Sequence, residues 1–200
     1  MKRVMFVFAA VLGLFVTLTA CAKKKDVKNS VETNNTPAAD VSGKDGKVLV
    51  AYFSATGTTE GVAKLIAKST GGELYKIQPE KKYTSADLDW TEKTSRCCKE
   101  NDNPESRPAI VKDKDNLDAY DVIYLGYPNW WNGAPRIINT FIETYSLKGK
   151  TVIPFMTSGG SQIENSEKNL KQKYPDVNWQ KGKLLNGASQ KDIDDWVKNF

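Results

Sequence analysis

Lys47-Val-Leu-Val-Ala-Tyr-Phe53, followed at once by Ser54-Ala-Thr-Gly-Thr-Thr59, decides the fold. The first seven residues are a short apolar run, bounded by glycine upstream and by Ser, Thr and Gly downstream. That pattern fits a parallel strand buried on both faces. Beyond the loop, Val62, Leu65 and Ile66 recur at i, i+3 and i+4 with Ala63 and Ala67 beside them, and Gly71-Gly72 closes this helical face. Strand, polar loop and helix thus form one unit, and the unit recurs.

Glu73-Leu-Tyr-Lys-Ile77 reads as a shorter, more polar strand of the kind an edge tolerates. Val122-Ile-Tyr-Leu125 is a second buried run. After a loop, Pro135 stands at a predicted first helical position, with Ile137, Ile138, Phe141, Ile142 and Tyr145 on one face. Thr151-Val-Ile-Pro-Phe155 is a third run and leads into a weaker helix holding Ile163 and Leu170. A last strand is expected around Lys183-Leu184-Leu185. Ser189 caps the final helix, whose stripe is Ile193, Trp196, Val197 and Phe200. Strand and helix alternate about five times, which predicts an α/β domain with a mostly parallel sheet. Gln78 to Ala119 is the exception: 42 residues rich in charge and proline, with at most one poorly amphipathic helix near Ser85 to Glu100. A connection that long inside a compact domain points to function.

Outward from this domain the composition narrows the chemistry. The 200 residues contain no histidine and three cysteines. No Ser-His-Asp triad, Cys-His pair or imidazole zinc site is possible, and no metal site is expected. Reactivity must come from carboxylates, hydroxyls, lysines, a thiol or a cofactor. Lys2 and Arg3 precede an uncharged run from Val4 to Ala20, shorter than the roughly 20 residues of a spanning helix. Residues 1–20 therefore read as a signal peptide. Leu18-Thr19-Ala20-Cys21 resembles the bacterial lipobox, which implies lipidation at Cys21 and an exported chain held to a membrane face of the bacterial cell envelope. Residues 21–46 read as a flexible tether and 47–200 as the folded domain. Without the leader the net charge is +3, too weak and too dispersed for a nucleic-acid surface.

Three loops follow predicted strands, where open parallel sheets bind ligands. Ser54, Ala55, Thr56, Gly57, Thr58 and Thr59 offer four hydroxyls and a helix start, a donor set suited to a phosphate dianion. Neither a P-loop nor a dinucleotide fingerprint is present. Gly126-Tyr-Pro-Asn-Trp-Trp-Asn132 sets adjacent tryptophans in a turn-forming segment, so one can cover a planar ligand while the other packs inward. Thr157, Ser158, Gly159, Gly160 and Ser161 let backbone N–H groups approach a ring edge.

Together the patterns Tyr52-Phe-Ser-Ala-Thr-Gly-Thr-Thr59, Leu125-Gly-Tyr-Pro-Asn-Trp-Trp131 and Phe155-Met-Thr-Ser-Gly-Gly-Ser161 resemble the flavodoxin-like FMN-binding family, in its short-chain bacterial branch. The resemblance implies a doubly wound, five-stranded parallel sheet of order 2-1-3-4-5 with helices on both faces. It also implies non-covalent FMN, its phosphate on residues 54–59. The ring would lie between Pro128, Asn129, Trp130, Trp131 and Asn132 on one side and residues 157–161 on the other. Asn186-Gly-Ala-Ser189 nearly matches a motif that attaches FMN to threonine in some exported proteins, but the threonine is absent. Flavodoxins are strongly acidic, whereas residues 47–200 carry a net +2, so a less negative flavin potential is expected. Cys97-Cys98 reads as a pair of partly buried thiols. The expected role is electron transfer, with a redox partner protein or a quinone-like acceptor. The alternatives are an FMN-dependent NAD(P)H:quinone-type reductase, with Tyr83, Trp90 and Arg96 building its pocket, and a flavin-free binding or scaffold lipoprotein.

Overall fold

The computed structural model describes residues 46–200. The expected signal peptide (1–20), Cys21 and the expected tether as far as residue 45 lie outside the described residues. Among the described residues six strands and five helices follow one another: β1 (Lys47–Tyr52), α1 (Thr58–Thr70), β2 (Glu73–Lys76), α2 (Arg96–Asp102), β3 (Tyr120–Pro128), α3 (Arg136–Tyr145), β4 (Thr151–Thr157), α4 (Glu164–Lys173), β5 (Asn178–Trp179), β6 (Lys183–Leu184) and α5 (Gln190–Val197). All strand pairs are parallel, in the order β2-β1-β3-β4-β5, with β6 also beside β4. The expected order is present.

Alternation along β1 and β3 feeds two cores. Leu49, Ala51, Phe53, Ile123, Leu125 and Tyr127 join the apolar faces of α3 and α4. Val50, Tyr52, Val122 and Tyr124 join Val62, Ala63 and Ile66 of α1 and Ile193 and Trp196 of α5. Helices therefore cover both faces of the sheet, and the buried runs of the sequence are its middle strands. Gly126 in β3 answers a packing demand: a Cβ there would fall 2.1 Å from the Phe155 ring of β4.

Three local expectations are corrected. The fifth sheet position is not one strand around 183–185 but two short pieces, because Pro154 interrupts the ladder. Gln180 N–H donates to Val152 O and Leu185 N–H to Met156 O, both at 2.9 Å, so alternation turns the backbone of Pro154 to the same side, where it has no N–H to give. In the gap the Gly182 amide donates to the Glu167 carboxylate of α4 instead. Next, Pro135 is the cap residue before α3, and Arg136 is the first helical residue. Finally, the segment 85–95 is a chain of turns, and the helix begins only at Arg96, behind a Ser95 cap. Asp87 accepts from the Thr84 amide, Asp89 from Thr91 and Glu92 from Thr94, at 2.8–2.9 Å. Side chains that bind their own backbone in this way outcompete a helix. The ends of this long excursion are tied together, Glu80 N–H to Ala109 O and Val111 N–H to Gln78 O.

Candidate functional site

At the carboxyl ends of β1, β3 and β4 three loops enclose a cavity of about 510 Å³, within the range of small-molecule sites. The first loop leaves β1 and turns into α1 through Gly57, whose φ of 96° only glycine adopts easily. Ser54 Oγ accepts the Gly57 amide at 3.0 Å and so shapes the turn. Ser54, Ala55, Thr56, Thr58 and Thr59 line the cavity, and the first N–H groups of a 13-residue helix open beside them. Thr59 is buried, and its hydroxyl lies 2.8 Å from that of Thr157, which joins the first loop to the third.

The second loop continues β3. Asn129 N–H donates to Thr157 O at 2.7 Å, holding it against the third loop. Trp130 and Gly133 exchange backbone hydrogen bonds of 3.0 Å around a two-residue turn in which Trp131 (φ 46°) and Asn132 (φ 62°) are both left-handed. Such a turn suits Asn and Gly, and a bulky indole in that region is strained. The two tryptophans divide their work as adjacent residues in a turn must. Trp130 packs edge-on against Phe53 and Tyr83, 5.8 and 5.5 Å between ring centroids, and with Pro128 and Asn129 it lines the cavity. Trp131 points away, 44% exposed.

In the third loop Ser158 Oγ accepts the amides of Gly160 and Ser161 at 3.1 and 2.9 Å. Thr157, Ser158 and Gly159 face the cavity. Gly57, Trp131, Asn132, Gly160 and Ser161 do not line it; they form the turns that aim their neighbours. Three lining residues escaped the sequence reading: Leu88, Asn186 and Gly187. Asn186 accepts the Ser158 amide at 2.7 Å and donates to the Ser158 carbonyl, clamping the third loop. In the sequence its stretch is only a near match to a covalent-attachment motif, lacking the acceptor threonine, and nothing in it signals loop clamping. Leu88 sits in the turn-rich excursion and carried no signal at all.

Behind Trp130 the excursion builds a buried prop. Glu100 accepts from the Tyr83 hydroxyl and from Arg96 Nε, each at 2.6 Å, and the Arg96 guanidinium lies 3.9 Å over the Tyr83 ring. Burial, reinforced by the neighbouring carboxylate, pushes the Tyr83 hydroxyl far above its ordinary range, so it remains a donor. Arg136 of α3 binds the carbonyls of Glu100 and Asn101, at 3.2 and 2.8 Å, fixing α2 to the domain. Cys97 and Cys98 are free, buried thiols within α2.

A smaller cavity of about 250 Å³ adjoins the first. Leu88, Asn129 and Trp130 line both, and Trp90, Cys97 and Trp131 complete the smaller one. Of Tyr83, Trp90 and Arg96, only Trp90 lines it; the other two belong to the prop. Among the described residues no charged side chain lines either cavity. The Asn129 Oδ1 atom is buried and has no hydrogen-bond partner.

A five-position parallel sheet with three ligand-facing loops at its carboxyl edge defines a doubly wound α/β binding domain. Residues 47–200 match the family model described as Flavodoxin, and the chain belongs to that family. A protein of Bacteroides uniformis described as a flavoprotein is 58% identical, with a TM-score of 0.75 over 78% of this chain and 99% of that one. A similar protein from Bacteroides eggerthii is 57% identical, with a TM-score of 0.74 over 76% and 96%. A Lactobacillus acidophilus flavoprotein solved in complex with FMN shares the fold at 21% identity, with a TM-score of 0.61 over 76% and 99%. No curated protein matches the chain.

Proposed function

We propose that this chain is an exported, lipid-anchored flavodoxin-like protein that holds FMN non-covalently and takes part in electron transfer. The observation that carries the reading is the cavity of about 510 Å³ at the carboxyl ends of the strands, with the hydroxyls of the first loop and the first amides of α1 at one end and Trp130 and the third loop at the other. Ser54, Thr56, Thr58 and Thr59, with the first amides of α1, would hold the phosphate. Pro128, Asn129 and Trp130 would hold one side of the ring, and Thr157 to Gly159 the other. When bound, the flavin supplies the redox chemistry that the chain's own side chains lack. The net +2 of residues 47–200 supports a potential less negative than an acidic electron carrier imposes.

Titration of FMN with the purified chain tests the cofactor: saturable quenching of flavin fluorescence is expected, and unchanged fluorescence would sink the reading. Export and anchoring are supported by Lys2, Arg3, the apolar run and the lipobox-like Leu18 to Cys21. In bacterial cells fed a radiolabelled fatty acid, the wild-type chain should take up label and Cys21→Ser should not. Equal labelling of both would remove Cys21 as the anchor.

A further inference from the structure

We propose that the smaller cavity, walled by Trp90, Trp130, Trp131, Leu88, Cys97 and Asn129, is an acceptor subsite for an uncharged planar aromatic molecule of the quinone class. The role as acceptor subsite rests on the FMN reading; the pocket's chemistry does not. Leu88, Asn129 and Trp130 line both cavities, so an occupant of the smaller one borders the ring end of the larger. The walls are three indoles, a leucine, a thiol and one carboxamide. An anionic ligand would be partly desolvated there without a counter-charge, which disfavours carboxylates and nucleotide phosphates at this subsite. The volume of about 250 Å³ lies below the roughly 300–1,000 Å³ of pockets for drug-sized ligands, which limits the occupant to one or two fused rings.

Placement of the indoles supports the same conclusion. Trp90 is 73% exposed two residues from Leu88 in a segment rich in charge, and Trp131 is held out in a left-handed backbone conformation. Exposed flat faces at a cavity mouth are what a stacking ligand needs. Trp90 is not a stray side chain: the Cys98 thiol donates to its backbone carbonyl at 3.6 Å, which ties it to α2. Burial raises the Cys97 thiol, so it stays protonated and is a poor nucleophile toward an electrophilic ring beside it.

The test uses the full-length chain, with and without FMN, and menadione as the probe. Menadione should quench tryptophan emission saturably in the FMN-free chain. Trp90→Ala should raise the half-saturating concentration about five- to tenfold and Trp90→Phe should restore it, since a stacking face is what the site loses. Trp90 is exposed enough for the substitution to leave folding intact, and FMN affinity should not change. A sulfonated naphthoquinone should bind at least about tenfold more weakly. In the redox arm the FMN-loaded chain is photoreduced anaerobically with EDTA as donor. Menadione then takes two electrons from the bound flavin and two protons from water to become the quinol, and the rate should saturate at the same concentration. Quenching without saturation, or indifferent to Trp90→Ala, overturns the subsite. A chain that binds menadione but not FMN overturns the flavin reading and upholds the pocket.

Discussion

The two ends of the larger cavity are built by different means. The end proposed to hold the phosphate is largely local: six consecutive residues between β1 and α1, shaped by the Ser54–Gly57 hydrogen bond and by one left-handed glycine, with Thr59 tied to the third loop. The ring end is assembled from four distant parts of the chain. Trp130 leans on Tyr83, Tyr83 on Glu100 and Arg96, and α2 on Arg136, while Asn186 clamps the opposite loop. The exposed turn bonds of the first loop tolerate change because each has water as an alternative, whereas the buried Thr59–Thr157 bond does not. An assembled site inherits the stability of everything behind it, including a buried carboxylate whose partners are themselves half-buried.

The largest effect is therefore expected far from any ligand. Glu100→Ala leaves the Arg96 guanidinium and the Tyr83 hydroxyl without their acceptor and should lower unfolding stability by about 2–3 kcal/mol in a denaturant titration. Ser54→Ala, which removes only an exposed turn bond, should lose less than about 1 kcal/mol. Equal losses would erase the distinction between the two ends. The next effect lies in the ring itself. Trp130→Ala should weaken FMN binding by about tenfold or more, because it removes both a face of the cavity and the contacts with Phe53 and Tyr83. Trp131→Ala should change it less than about threefold. The opposite ranking would place the stacking indole on the exposed side of the turn.

The same contrast explains what was legible in the sequence. Strand one, its loop and helix one could be read directly because periodicity and turn chemistry act over neighbouring residues. So could the faces of α3 and α5. The split of the last strand could not, because it depends on the proline of β4 facing that strand rather than β3. Alternation decides that, but only once the pairing is known. Leu88 and Asn186 were invisible as site residues for a related reason: each reaches the cavity through contacts with residues far away in the chain. The Thr59–Thr157 bond spans 98 positions and left no trace at either end. Trp131 shows the limit of propensity, since nothing local favours tryptophan in a left-handed turn, whereas Asn132 beside it fits one.

Asn129 offers the smallest change and the sharpest discrimination. In the FMN-free chain its Oδ1 is buried without a partner, so replacing the carboxamide by an apolar side chain of similar size removes a penalty. Its backbone N–H, which holds Thr157 O, survives any such substitution. Asn129→Leu should leave the unfolding midpoint of the FMN-free chain unchanged or slightly raised, while FMN affinity falls by about fivefold, the worth of roughly one neutral hydrogen bond. A residue kept for packing alone would move in the other direction, losing stability and leaving affinity alone. If both fall together, Asn129 is structural and the ring end owes its specificity to Trp130 and the clamped third loop. If only affinity falls, the unpartnered oxygen is the polar contact that orients the ring, kept in spite of its cost to the free protein.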